Sequence, residues 1–259
     1  MKQNNLNAKK RFGQNFLKDQ NVLNRIVNLV DLENQNVLEI GPGRGDLTKK
    51  LLQKANFVKA YEIDRDLVRF LNEEIKEEHF QLVPNDFLQE DISGLKNYWI
   101  IANIPYYITT EIIFKILENI QNFYGAILMV QKEVAERIEA KKNSSEYSKL
   151  SLTCQYYSTT KKEFIVKANS FIPAPKVDSA IISLTFNKNR VWNKEINNFF
   201  KLCFLQRRKK LSFSLKQKYS LEKIESSFEK LDLTTNTRIQ ELDLEKVLQL
   251  YNYLEDKEN

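Results

Sequence analysis

The sequence predicts an α/β protein: a doubly wound, mostly parallel seven-stranded sheet with helices on both faces, followed by a small all-helical domain. Two patterns carry that reading. Between Asn36 and Lys141 short apolar runs alternate with segments of helical spacing, as in strands joined by crossover helices. After Arg190 only helical spacing remains. The composition agrees, since a chain of 259 residues that is 42% hydrophobic and 11% aromatic can build one sizeable core plus a small one and is too apolar for disorder. No apolar run approaches the ~18 residues needed to cross a bilayer, and the mean hydropathy is −0.49, so no membrane partner is expected.

The first element is a basic segment, residues 1–18, with five basic and no acidic side chains. It lacks the apolar stretch of a secretory signal, which points to a cytoplasmic protein. Asp19 is a candidate N-cap for a helix whose apolar positions Val22, Leu23, Ile26, Val27 and Val30 recur at helical spacing. Asn36 to Ile40 reads as strand, Gly41-Pro-Gly-Arg-Gly45 as a turn, and Asp46 onward, with Leu47, Leu51 and Leu52, as helix. The alternation continues with strands at 57–61, 80–83, 98–102 and 125–130, and helices at 65–77, 111–119 and 132–141. Phe164 to Val166 and Ser179 to Phe186 are two further β runs. No helix fits in the loop between them, which holds Pro173 and Pro175, so an antiparallel hairpin on the sheet is expected. Helical patterns then run from Ile196 to Leu205, Leu221 to Leu231 and Leu242 to Leu254. The chain divides on this basis into a basic segment at 1–18, a sheet domain at 19–187 and a helical domain at 188–259.

Charge is concentrated. The net charge is +6, yet residues 187–218 alone hold ten basic side chains and one acidic one, so that, with the basic first 18 residues, the rest of the chain is net −8. An isolated run of this kind is commonly a solvated helix face. Two such clusters in an otherwise acidic chain point to a polyanionic partner, because phosphates reward concentrated Lys and Arg through counterion release. Metal cages and disulfide frameworks lack ligands: His79 is the one histidine, and Cys154 and Cys203 stand far apart.

Four motifs carry chemistry. In Glu39-Ile-Gly-Pro-Gly-Arg-Gly45 the glycines fall at every second position, unlike a dinucleotide fingerprint or a phosphate loop. Gly41, Gly43 and Gly45 leave the backbone bare where a flat or bulky neutral portion of a ligand can lie against it. Glu62 stands 21 positions beyond Gly41 at the end of the second strand, where doubly wound folds place a carboxylate on ribose hydroxyls. Asp86, after the third strand, is either an acceptor for an adenine amino group or a turn aspartate. Asn103-Ile-Pro-Tyr106 follows the fourth strand. Asn103 Oδ1 and the Ile104 carbonyl are suited to accept both hydrogens of an exocyclic adenine amine and so localise its lone pair, Pro105 fixes the turn, and Tyr106 offers a stacking face for a flipped base. Phe171-Ile-Pro-Ala-Pro175 places an aromatic ring on a rigid loop, where Phe171 either completes the base sandwich or anchors the loop. Gln206-Arg-Arg-Lys-Lys-Leu211 reads as a phosphate-binding patch.

Together with Lys10-Arg-Phe-Gly-Gln-Asn-Phe-Leu17, Gln131-Lys-Glu-Val134 and the extension of the proline loop to Ser179, these motifs resemble, in order and spacing from about Lys9 to Tyr253, the rRNA adenine dimethylase family, specifically the small-subunit (16S) adenine N6,N6-dimethyltransferases of the KsgA (RsmA) type. The resemblance implies a class I, Rossmann-like methyltransferase. It implies transfer of methyl groups from S-adenosyl-L-methionine, without a metal, to N6 of two adjacent adenosines near the 3′ end of small-subunit rRNA. The partner implied is an immature 30S particle, and the protein is expected to be a monomer. Cofactor contacts carry over to Asn15, Leu17, Gly41, Gly43, Glu62, Ile63, Asp86, Phe87 and Asn103, catalytic roles to Asn103, Ile104, Pro105, Tyr106 and Phe171, and RNA contacts to Arg11, Arg207, Arg208, Lys209 and Lys210. Ala174, where the family often has proline, and Tyr107 are local departures. A large-subunit adenine methyltransferase of the antibiotic-resistance type and a non-catalytic assembly factor on the same fold are the alternatives.

Overall fold

The structure is a computed structural model that describes residues 8–9 and 12–256. A two-residue strand, β1 (Phe16–Leu17), opens it, and Asp19 starts α1 (Gln20–Val27) by accepting hydrogen bonds from Asn21 N and Val22 N at 3.0 and 3.3 Å. The alternation follows the sequence pattern: β2 (Asn36–Ile40), α2 (Asp46–Leu52), β3 (Phe57–Tyr61), α3 (Arg65–Glu74), β4 (Phe80–Val83), β5 (Tyr98–Asn103), α4 (Thr109–Glu118), β6 (Phe123–Gln131) and α5 (Lys132–Glu139). After α6 (Lys149–Tyr157), β7 (Ser158–Val166), β8 (Phe171–Ile172) and β9 (Ser179–Phe186) come the helices α7 (Lys194–Cys203), α8 (Leu211–Leu215), α9 (Leu221–Lys230) and α10 (Leu244–Leu254).

Seven strands form one sheet in the order β4-β3-β2-β5-β6-β9-β7. Strands β2 to β6 pair in parallel and β9 runs antiparallel to β6. The strand order reverses between β2 and β5, and a doubly wound sheet opens a crevice beyond the carboxyl ends of its strands at such a point. Val37, Val58, Ile101, Ile127 and Met129 are buried in the core that holds this frame, each contributing on the order of 1.5–3 kcal/mol through removal from water. β9 and β7 are sheet neighbours, as the expected hairpin requires. The loop between them does more than connect. Its β8 leaves the sheet and pairs antiparallel with β1, Phe16 opposite Ile172 and Leu17 opposite Phe171.

The chain divides into two compact units, one of residues up to 135 with 159–191 and one of 136–158 with residues from 192 on. The helical unit therefore takes in residues 136–158, which a boundary at 187/188 leaves with the sheet. Tyr147 and Leu152 are buried in one core with Phe199, Phe200, Leu250 and Tyr251, and the Tyr157 hydroxyl accepts from Asn193 N at 3.0 Å and Asn197 Nδ2 at 2.7 Å. α6 has no period to read because its residues Leu150 to Cys154 are buried in succession. Among the described residues no helix is long and apolar enough to cross a membrane.

Candidate active site

Beyond the carboxyl ends of β2, β3 and β5 lies a cavity of about 210 Å³. Its first wall is the glycine turn. Gly41 N donates to Tyr61 O at 2.9 Å, and Gly41 and Gly43 hold φ of +68° and +61°, values that side chains with a Cβ rarely adopt. A Cβ on Gly43 would stand 3.1 Å from the Phe16 ring, so bare backbone is also what lets the first strand close over the turn.

Two buried carboxyls face this wall. Glu62 Oε2 accepts from Gly43 N at 3.2 Å and Oε1 from Asp64 N at 2.8 Å. Burial nevertheless raises its pKa to about 7, because the desolvation of a carboxylate outweighs the two backbone donors. Glu39, at 1% exposure, has an Oε2 with no hydrogen-bond partner. Burial pushes its pKa to about 8, with the charges of Glu62 and Asp46 adding to the shift. The sequence sets Glu39 at the head of the glycine motif without a role of its own; the signal for one is an acid inside an otherwise apolar run. At the far wall Asp86 Oδ1 accepts from Leu88 N at 2.9 Å and caps the turn Phe87–Gln89, so the turn role holds while the residue also lines the cavity. Phe87 packs edge-on to Tyr61 at 5.6 Å, and exposed Ile63 lines the opening.

The other end of the cavity is built on β5. Asn103 closes that strand, and its Nδ2 donates to Asn15 O at 3.1 Å, which fixes the amide's orientation and so the direction of its acceptor, Oδ1. Ile104 is buried and its N–H donates to Met129 O at 3.2 Å. Pro105 leads into the turn Tyr106–Ile108. The Tyr106 hydroxyl lies 2.5 Å from Ser179 Oγ, a fully buried group at the start of β9. Ser179 is a functional candidate that the sequence pattern did not single out. Asn15 and, in β1, Leu17 also line the cavity, and ahead of them Gln14 Nε2 at 2.8 Å and Lys9 Nζ at 2.5 Å both donate to Asp64, after β3.

Two expectations change. Phe171 is 2% exposed, packs in the core with Leu17 and is not among the residues lining the cavity; of its two readings the loop anchor is the one this structure holds, because the β1–β8 pairing turns the ring inward. Arg207 is half-buried and donates through Nη2 to Ser144 O at 2.8 Å, so it holds the helical unit together. Arg208, Lys209 and Lys210 are exposed. Arg11 lies outside the described residues.

The profile of the ribosomal RNA adenine dimethylase family matches residues 5–256. The chain belongs to that family. It is 53% identical over 252 residues to ribosomal RNA small subunit methyltransferase A of Mycoplasmopsis synoviae, covering 96% of this chain and 97% of the relative. The counterpart from Mycoplasmopsis pulmonis is 51% identical, with 95% and 98% covered. Among solved structures, a dimethyladenosine transferase from Plasmodium falciparum superposes with a TM-score of 0.79 at 30% identity, over 91% of this chain and 95% of the other. The 23S rRNA methyltransferase ErmE gives 0.73 at 28% identity, over 93% and 100%. The adenine dimethylase fold thus occurs in proteins named for different ribosomal RNAs.

Proposed function

We infer that the chain transfers methyl groups from S-adenosylmethionine to N6 of two adjacent adenosines near the 3′ end of small-subunit rRNA, acting as a cytoplasmic monomer on an immature 30S particle. One observation carries the chemistry: the Asn103 amide is oriented by Asn15 O at 3.1 Å so that Oδ1 accepts. The small-subunit assignment rests on the 53% and 51% identity to proteins named for that subunit, against 28% to ErmE.

The cavity fits the cofactor. A partnerless buried Glu39 Oε2 and a second raised carboxyl at Glu62 call for donors such as an ammonium and ribose hydroxyls, and the left-handed glycines leave room along the backbone. Gly41, Gly43, Glu39, Glu62, Ile63, Asp86, Phe87, Asn15 and Leu17 would hold it. When bound, S-adenosylmethionine supplies an electrophilic methyl group on a sulfonium. The protein's part is positioning. The N6 lone pair of adenine is delocalised into the ring; Asn103 Oδ1 and the Ile104 carbonyl accept its hydrogens and draw the nitrogen towards a tetrahedral shape, in which the pair is localised. Tyr106, tethered to Ser179, presents its ring to the extruded base; the proton that N6 sheds on methylation passes to solvent, so no general base is required. His79 is elsewhere, with Nε2 3.1 Å from Leu52 O. Arg208, Lys209 and Lys210 hold RNA phosphates.

Incubation with labelled S-adenosylmethionine and immature 30S particles, 50S particles or naked rRNA, followed by mapping of the modified bases, tests the assignment. Dimethyladenosine at two neighbouring positions of the small-subunit RNA is expected. Label in the 50S particle alone would overturn it.

A further inference from the structure

The chain has 16 phenylalanines, and among them Phe213 alone is exposed, at 51%. It stands on α8, whose Leu211, Ser214 and Leu215 are buried. The helix is thus seated in the core while this one ring points outward. A single exposed phenyl is ordinary on a protein surface; what distinguishes this one is the set of cations placed around it.

Arg208, Lys209 and Lys210, all exposed, immediately precede α8, and Lys209 Nζ lies 5.8 Å from the Phe213 ring centroid. The turn bearing them is fixed: Arg207 Nη2 donates to Ser144 O at 2.8 Å, Lys209 N to Gln206 O at 2.8 Å, Leu211 N to Thr237 O at 2.8 Å and Phe213 N to Lys210 O at 3.0 Å. Ring and cations are therefore presented on a frame already ordered, which lowers the entropic cost of engaging a ligand. A flat apolar face with one cation beside it and two more adjoining in the chain matches a group with a π face flanked by phosphates. Bases inside a duplex have their faces covered, so the complement is an unpaired nucleotide, recognised by stacking and backbone charge together.

We propose that Phe213 with Arg208, Lys209 and Lys210 forms an RNA site of the helical unit's own that takes an unpaired nucleotide: the base stacks on Phe213 and the neighbouring phosphates lie on the cations. The proposal rests on the reading of the chain as an enzyme that acts on RNA and adds to it the structural feature of the RNA that the helical unit grips.

The test uses the full chain, with a single-stranded oligoribonucleotide and a fully paired duplex of the same sequence as probes, titrated by fluorescence anisotropy over a range of salt. Phe213→Ala is expected to weaken single-strand binding roughly fivefold or more, as loss of one base–aromatic stack does, with the salt slope and duplex affinity unchanged. Phe213→Trp is expected to restore single-strand binding. Neutralising Arg208, Lys209 and Lys210 lowers the salt slope with both probes. Wild-type affinity of Phe213→Ala for the single strand, or an equal loss on both probes, overturns the proposal. So does unchanged RNA affinity accompanied by altered sedimentation of the RNA-free variant, which would assign the ring to a protein contact. Methyl transfer by the unmodified protein onto small-subunit particles examines the functional reading separately, because that measurement does not involve Phe213.

Discussion

The cavity of the sheet unit and the basic turn of the helical unit meet their ligands in opposite ways. In the cavity the polar groups are buried or half-buried, and three of them are tied to other parts of the chain: Asn103 to Asn15, Glu62 to Gly43 and Asp64, Tyr106 to Ser179. On the turn Arg208, Lys209 and Lys210 point into solvent, and only Arg207 behind them is fastened. Buried, directional groups act one atom at a time, since a lost partner leaves a desolvated group behind. Exposed charges act as a sum that salt screens. Substitutions in the cavity should therefore have large, specific effects, and those on the turn graded, salt-dependent ones.

The largest expected effect is that of Asn103→Ala. Removing one preorganised group aimed at the charge that shifts in a transition state costs roughly 10²–10³ in rate. Single-turnover kinetics should show that loss with RNA affinity unchanged. A variant that keeps its rate but binds RNA poorly would erase the contrast with the turn. Next is Glu62→Ala, which removes a charge-assisted acceptor for hydroxyls and should cost about 1–3 kcal/mol of cofactor binding. Calorimetry reads this directly, and unchanged affinity would remove Glu62 from the cofactor site.

The two raised carboxyls give the cavity a pH dependence. Glu39 has a pKa of about 8 in the folded chain against an ordinary 4.5, so between those values the folded state holds a proton that the unfolded state has released. Its contribution favours folding at low pH and is lost as pH rises to about 8; Glu62 behaves likewise up to about 7. The ligand-free protein should melt lower at pH 8 than at pH 6, and Glu39→Gln should flatten that fall. Equal slopes for the two proteins in scanning calorimetry would contradict the burial of the Glu39 charge.

On the turn, neutralising Arg208, Lys209 and Lys210 should reduce the slope of log affinity against log salt by about 2 to 3, as three lost phosphate contacts imply, while cofactor affinity stays as it was. Arg207→Ala should instead lower the melting temperature, since its guanidinium holds Ser144 O. If Arg207→Ala changes only the salt slope, it belongs with its exposed neighbours.

What the sequence makes legible follows the same division. The strand–helix alternation, the glycine spacing and Glu62 can be read because each is local: a period, or a fixed offset within one βαβ unit. The β1–β8 pair, the inward turn of Phe171 and the Ser179 tether cannot, because each depends on residues far apart in the chain, 73 positions in the case of Tyr106 and Ser179. Helix α6 escapes for a different reason, being buried on successive residues, so that no polar face sets a period. Arg207 reads as one of a basic run, and only its partner in the 144 region separates it from Arg208.

The smallest expected effect is also the sharpest test of how the cavity works. If Tyr106 acts through its ring face, its hydroxyl serves to hold the ring against rotation through Ser179 Oγ, 2.5 Å away. Tyr106→Phe and Ser179→Ala then each remove the same hydrogen bond, worth about 0.5–1.5 kcal/mol, and each should slow methyl transfer only severalfold, against the larger loss of Tyr106→Ala, which removes a stack worth about 1–3 kcal/mol. Because each single variant leaves one buried hydroxyl without a partner, the double variant should be no slower than the worse of the two, and the cycle should give a coupling close to the single effects. A loosened ring should also change the second transfer, which needs the first methyl turned aside, so the ratio of mono- to dimethyladenosine at early times should rise in all three. Additive losses would mean that the two hydroxyls act separately. A Tyr106→Phe protein as slow as Tyr106→Ala would mean that the phenol takes part in the chemistry itself.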